Sequence, residues 1–355
     1  MKSKLSIAAV MLSAMILGTQ CGFAAPADQK PGVKILATGG TIAGSAASKT
    51  ATSGYKAGSL GIDVLMEAVP EIQDYAKVSG EQVCNISSNN MTDELWLKLS
   101  KRVNELAAQK DVNGIVVTHG TDTLEETAYF LDLTVKSDKP VILTGAMRPA
   151  TAISADGPMN LLNSVRLAAD KKAGGNGVMV LLNDEIDNAR DVTKSNTTSV
   201  DTFKSHNGPL GFMNDGVPDF YNKPLRLHTT KTPFDVRNLT SLPKVYVIYG
   251  TAGADGSLVD AAVKAGAEGI VYAGTGNGSI HQQDKEALIR AAKAGVVVVR
   301  SSRTGSGMVV PEPEYAKEGF LDGDSLNPQK ARILLQLALT KTHDLGEIQS
   351  MFHKY

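Results

Sequence analysis

The stretch KILATGGTIAG, Lys34 to Gly44, decides the fold. An apolar run enters a pair of glycines set between Thr38 and Thr41, and a third glycine closes it at 44. A run that is apolar on both faces belongs in a sheet covered on both sides. Glycines at its carboxyl end let backbone come close to a neighbour or a ligand. The same design returns in VVTHGTDTLEE (116–126), where a β-branched strand passes through Thr-x-Gly-Thr into a helix. Asp122 followed three residues later by Glu125 fits a capping box, which places the helix start at about Asp122.

Further strands are expected at PVILTGA (140–146) and GVMVLLND (177–184), with amphipathic helices at 93–109 and 124–135. The alternation of strands and helices predicts a largely parallel sheet flanked by helices. Polar residues 185–232 break the rhythm, and 228–243, with two prolines, reads as a linker. A second alternating block follows: KVYVIYG (244–250), GIVYAG (269–274), VVVVRSS (296–302) and the closing helix NPQKARILLQLALT (327–340). The expected fold is therefore α/β, a large N-terminal domain (26–227) and a smaller C-terminal α/β domain (244–355). Length agrees, since 355 residues exceed one ordinary domain.

Residues 1–25 read as a signal peptide: a basic MKSK, an apolar LSIAAVMLSAMILG and a small-residue end, CGFAA. Its features point to export into the periplasm, with no membrane association after cleavage. Removing Lys2 and Lys4 leaves 34 basic against 37 acidic residues, a charge of −3 and no nucleic-acid footprint. Removing Cys21 leaves Cys84 alone, so no intrachain disulfide can form. The six histidines are scattered, with no H-E-x-x-H and no Cys/His cluster, so a catalytic metal has no support.

The first glycine cluster has the G-x-x-x-x-G spacing of a phosphate loop, but Ser45 stands where that loop requires lysine. Taken alone it is a strand-to-loop turn with capping threonines. The second turn changes the weighing, because it sets a hydroxyl (Thr121) and a carboxylate (Asp122) at another strand end on the same side as Thr41. In open parallel sheets that is where sites form. Lys194, in the Thr-rich ARDVTKSNTTSVDTFKS (189–205), is either a solvated lysine or, partly desolvated beside a threonine, a proton relay. The small-residue segment GSAASKTATSGYKAGSLG (44–61) around Tyr55 reads as a lid.

Together these residues resemble the bacterial L-asparaginase family, specifically its exported type II enzymes and their glutaminase-asparaginase relatives. The resemblance rests on ATGGTIAG (37–44), THGTDTLEETAYFLDL (118–133), GAMRP (145–149), SADGPMNL (154–161), ARDVTKSNTT (189–198), TFKS (202–205) and LNPQKARILLQLALT (326–340), in order along the chain. It implies hydrolysis of L-asparagine to L-aspartate and ammonia, a linear-amide amidohydrolase without cofactor or metal. By resemblance Thr41 is the nucleophile of a β-acyl-enzyme, Tyr55 its activating lid tyrosine, and Thr121, Lys194 and Asp122 a second relay. The resemblance also implies Ser88 as ligand of the α-carboxylate and Asp122 of the α-ammonium. Thr121, Asn89 and the backbone around Ala146 complete the substrate contacts. Glu312 is implied to come from a neighbouring subunit of a homotetramer with shared sites.

Two departures bear on selectivity. Asn89 stands where the family has a longer Gln or Glu, and Gly253 in YGTAGADG (249–256) falls where asparagine-selective members place an Asn. Glutaminase activity beside asparaginase activity is therefore expected, and comparable rates on both amides are the alternative. From a different class, a periplasmic amino-acid-binding protein would share the size and export but has no use for two threonine turns and Lys194. An N-terminal-nucleophile hydrolase would need Thr41 exposed by self-cleavage, whereas it lies inside a strand turn.

Overall fold

A computed structural model describes residues 30–355, so the expected signal peptide, 1–25, lies outside the described residues. The opening stretch forms β1 (Gly32–Gly39). It lies between β2 (Lys77–Ile86) and β3 (Gly114–Thr118) and runs parallel to both. Next outward come β4 (Val141–Thr144) and β5 (Val178–Leu182), also parallel. Beyond β5 the direction reverses. β6 (Glu185–Asn188), β9 (Gly211–Asn214) and β10 (Val217–Phe220) pair antiparallel and complete eight strands in the order β10-β9-β6-β5-β4-β3-β1-β2. The hairpin β7 (Val192–Lys194) and β8 (Phe203–Ser205) stands apart as a two-stranded sheet.

The polar stretch 185–232, where the rhythm breaks, thus carries strands that the sequence reading did not place. The five strands there are only three or four residues long, and β9 and β10 alternate buried with exposed residues. Such edge strands escape a search for runs apolar on both faces. Their turns were legible, however. Asn183 and Asp184 (φ 50° and 64°) join β5 to β6, and Asp215-Gly216 (φ 52° and 77°) join β9 to β10. Two consecutive positive φ values define the tight hairpin turn that Asp-Gly favours. β2 was also missed, and for the same reason: its inward and outward residues alternate at the sheet edge.

β1 shows why the central strands read so clearly. Val33, Ile35 and Ala37 pack with Leu161, Leu162 and Val165 of the helix Gly157–Ala169 on one face. Leu36 points to the other face, against residues of the helices Asp93–Ala107 and Leu124–Thr134.

A second sheet of four parallel strands, β11 (Val245–Tyr249), β12 (Gly269–Gly274), β13 (Val297–Ser302) and β14 (Leu321–Asp322), follows in that spatial order. Both sheets belong to one compact unit, Pro31–Tyr355. The helix Pro328–Leu339 joins them. Ile333, Leu334 and Leu337 share one core with Trp96, Tyr129 and Phe130 from the first half and Val271 and Val297 from the second. Asn327 caps this helix, its side chain accepting from Lys330 N.

Lys330 itself is buried. Its ammonium donates to the carbonyls of Arg190 (2.9 Å) and Val192 and lies 3.8 Å from Glu125 Oε2. Replacing it by methionine leaves two carbonyls and a buried carboxylate without their cation. Lys330→Met should therefore lower the unfolding free energy by about 2–4 kcal/mol, read from urea denaturation. A variant as stable as the parent would show that this ion does not hold the segment carrying β7 against the closing helix.

Candidate active site

β1 ends on Gly39 and Gly40 (φ 106° and 81°), and the chain then makes a single 3₁₀ turn over Thr41–Ala43. Left-handed φ values are strained for residues with a side chain. Space forbids one as well: a Cβ on Gly40 would lie 2.3 Å from the backbone nitrogen of Gly120, and one on Gly120 would lie 2.6 Å from Ser88 Oγ. The two Thr-Gly turns thus touch backbone to backbone, with the Ser88 turn beside them. Thr41, Ser88 and Thr121, all buried, line one cavity of about 590 Å³ together with Tyr55, Asp122 and Lys194.

Two hydroxyl clusters face this cavity. In the first, Thr41 Oγ1 and Tyr55 OH are 2.6 Å apart. The segment carrying Tyr55 is pinned at its base, where Ser45 and Lys56 exchange backbone hydrogen bonds of 3.1 and 3.0 Å and Gly58 N donates to Gly40 O at 3.0 Å. Thr52, Ser53 and Gly54 form part of the cavity wall. In the second, the Lys194 ammonium donates to Thr121 Oγ1 at 3.0 Å and to Asp122 Oδ1 at 2.6 Å. Lys194 is largely covered while Asp122 is 62% exposed, so the carboxylate has an open side toward solvent.

The capping-box expectation is corrected here. The helix begins at Leu124, and its N-cap, Thr123, makes no side-chain cap bond. Asp122 lies one residue before that N-cap, and its Oδ1 takes the Lys194 ammonium. Buried Glu125 turns away from the helix end instead. Its Oε1 accepts from Thr193 Oγ1 (3.0 Å) and Lys194 N (3.3 Å), and its Oε2 from Asn327 Nδ2 (2.9 Å). Lys194, in the Thr-rich stretch read as polar, is the last residue of β7. Thr123 Oγ1 donates to Ser88 O at 2.8 Å, which fixes the Ser88 turn beside Thr121.

Three expected substrate contacts do not line the cavity: Asn89, Ala146 and Glu312. Asn89 is exposed, its amide nitrogen 3.5 Å from Asn90 Oδ1. Ala146 is fully buried behind Met147 and Arg148, which do line it. Glu312 lies at the carboxyl end of the second sheet, where Asn277 Nδ2 donates to its Oε1 at 2.7 Å. Sequence reading missed Asn277, whose only signal was its place in the glycine turn after β12. Gly253, singled out instead, sits exposed in the turn after β11.

His119 was also passed over. It is buried completely and lies directly behind the second turn. Nδ1 is 2.8 Å from Gly120 O and Nε2 is 2.9 Å from Thr127 Oγ1, which in turn accepts from Trp96 Nε1 at 2.8 Å. A carbonyl can only accept, so the Nδ1 proton belongs to the Gly120 bond. Burial pushes the imidazole pKa down to about 4, leaving the ring neutral at physiological pH. His119 thus holds the turn's backbone and lies outside the cavity lining.

Fold and site define an α/β protein with two hydroxyl turns facing each other across one cavity. The model for "Asparaginase, N-terminal" matches residues 32–226 and that for "Glutaminase/Asparaginase C-terminal domain" matches 244–352. The chain belongs to the asparaginase family. It is 56% identical to "L-asparaginase 2" of Bacillus subtilis, covering 95% of this chain and 91% of the relative. It is 53% identical to "Probable L-asparaginase periplasmic" of Haemophilus influenzae, covering 93% and 95%. A solved structure, "Probable Cytoplasmic L-asparaginase from Campylobacter jejuni", superposes with a TM-score of 0.90 at 52% identity, covering 92% of this chain and all of that one.

The His119 geometry makes a pH prediction. Its folded pKa is depressed from 6.5 to about 4, so between these values the unfolded chain carries the extra proton. The stability it contributes is complete above pH 6.5 and is lost as the pH falls toward 4. The stability difference between the parent and His119→Gln should therefore shrink by roughly 3 kcal/mol from pH 7 to pH 4, read from denaturant unfolding at each pH. A difference that does not change with pH would mean the ring is not held neutral.

Proposed function

We propose that the chain hydrolyses L-asparagine to L-aspartate and ammonia, with L-glutamine as a second substrate. The observation that carries the reading is the pair of facing hydroxyls, each with its own proton partner: Thr41 with Tyr55 and Thr121 with Lys194 and Asp122. A threonine hydroxyl is a weak nucleophile and needs such a partner. Thr41 Oγ1 attacks the side-chain amide carbon as its proton passes to the Tyr55 hydroxyl, which gives up its own proton in turn to the leaving nitrogen. Backbone N–H groups of the facing turns steady the developing oxyanion. The C–N bond breaks as the leaving nitrogen takes up a proton, ammonia departs, and water then hydrolyses the β-acyl ester on Thr41. In this scheme Thr121 and Lys194 move protons on the opposite side, and closure of the Tyr55 segment keeps bulk water out.

For binding, Asp122 Oδ2 is available to the substrate ammonium because Oδ1 is engaged with Lys194, and Ser88 Oγ serves the carboxylate. Asn89 and Ala146 stand outside the cavity lining, so their expected contacts require substrate-bound rearrangement or backbone groups. Glu312 serves a neighbouring subunit, in a homotetramer with shared sites. We further propose two domains, 26–227 and 244–355, joined by the linker 228–243, and export to the periplasm through 1–25. The name of the Haemophilus relative favours that location, whereas the Campylobacter protein of similar structure is called cytoplasmic. Glutamine turnover is favoured by the matching C-terminal family model, whose name, "Glutaminase/Asparaginase C-terminal domain", covers both amides.

Ammonia release from asparagine and from glutamine, measured side by side on the parent and Thr41→Ala, tests the proposal. The expected result is turnover of both amides by the parent and a fall in kcat on the order of 10³ or more in Thr41→Ala, with aspartate binding retained. A parent protein that binds asparagine yet releases no ammonia would instead be an amino-acid-binding protein.

A further inference from the structure

Arg300, in the middle of β13, has no solvent exposure at all, although it carries a permanent charge. Burial of that kind requires every part of the guanidinium to be engaged. Nη1 donates to Asp322 Oδ1 at 2.8 Å, and Nη2 donates to Asn277 O at 2.8 Å and to Glu312 Oε1 at 3.1 Å. The plane of the group stacks over the Tyr315 ring, 4.0 Å from its centroid. One side chain therefore gathers the turn after β12, Glu312 with the short helix that follows it (Pro313–Ala316, carrying Tyr315), and β14.

The consequence falls on Glu312. Its Oε1 receives two donors, Arg300 Nη2 and Asn277 Nδ2, while among the described residues Oε2 receives none. Asn277 is itself fixed, since Val310 N donates to its Oδ1 at 2.7 Å and its Nδ2 lies 3.2 Å from Val310 O. With the side chain one-third exposed, the carboxylate is locked in one orientation and offers its free oxygen outward. Exposed Met308 and Val310 lie close by in sequence, an apolar surround at which a second copy could seat.

We propose that Arg300 is a positioning residue: it orients Glu312 so that Oε2 receives the α-ammonium of substrate bound in the cavity of a neighbouring subunit. This rests on the reading of Glu312 as a ligand shared between subunits. Arg300 touches no substrate and acts only through Glu312 and Asn277. A fixed carboxylate loses no rotamer freedom when the ammonium arrives, so the charged hydrogen bond adds fully to affinity.

The test compares inhibition of asparagine hydrolysis by L-aspartate and by succinate, which differ only in the α-ammonium group. The parent should favour L-aspartate. In Glu312→Gln and in Arg300→Gln that preference should fall about tenfold, with the succinate inhibition constant unchanged. A general loss of structure would weaken both inhibitors together. If Glu312→Gln abolishes the preference and Arg300→Gln leaves it intact, the positioning role is overturned while the Glu312 reading stands. If Glu312→Gln leaves the preference intact, the Glu312 reading fails and the Arg300 proposal with it. Arg300→Lys, which keeps a cation in the buried slot, is the second variant should Arg300→Gln not fold. A single ammonium cannot reproduce the fork, so the same fall in preference is expected, and a preference equal to that of the parent overturns the proposal.

Discussion

The rest of the site depends on one contact without side chains, the approach of Gly40 to Gly120. Any Cβ at Gly40 would overlap the Gly120 backbone, and any Cβ at Gly120 would overlap Ser88. Because β1 and β3 are neighbouring parallel strands in register, their carboxyl ends arrive side by side. Only glycine lets both chains turn there without pushing the sheet apart. The residues directly after each glycine are Thr41 and Thr121. Strand pairing fixes their proximity, and no long-range interaction of their own side chains is needed to bring them together.

Glu125 then couples this first sheet to the remainder of the chain. It is buried on the helix that follows β3, yet its carboxylate holds Thr193 and the Lys194 backbone on β7 and the Asn327 cap of the closing helix. Lys330 supplies the balancing charge. The network explains how a lysine distant in sequence comes to lie against Thr121: β7 is anchored by its backbone and by Thr193, and the Lys194 side chain has only to extend. A buried carboxylate with several donors is costly to disturb. Changes at Glu125 would consequently shift Lys194 and the closing helix together.

The central strands were legible because both of their faces are buried, so β-branched residues run without interruption. The antiparallel edge was not, since one-faced strands of three or four residues carry too little pattern. Asp215-Gly216 was the overlooked signal there. Within the site, residues next to glycine turns (Thr41, Thr121, Asp122) could be placed from local sequence, because strand ends converge by topology. Glu125 was misassigned because local spacing matched a cap while tertiary partners claimed its carboxylate. The glycine turn around Asn277 was a signal without a partner, and Arg300 left no local trace, as their relation to Glu312 exists only after β12, β13 and the Tyr315 helix have packed. His119 was hidden differently: as one of six scattered histidines it carried no motif, and only its burial and its partners Gly120 and Thr127 reveal a backbone brace.

The absence of a histidine facing the cavity among the lining residues has a chemical consequence. Among the described residues, Thr41 Oγ1 has one side-chain hydrogen-bond partner, the phenol of Tyr55 on the small-residue segment 44–61. Thr121 has a fixed ammonium, already paired with a carboxylate. A proton can be accepted at Lys194 only after that ammonium yields one to Asp122 or to solvent, whereas the Tyr55 hydroxyl can take one proton and give up another in the same step. The two hydroxyls thereby have different proton partners, one a phenol on a separate segment and the other an ion pair. If the Tyr55 segment opens as the proposed lid, Thr41 loses that partner until closure over substrate restores it, which would tie its activation to substrate binding.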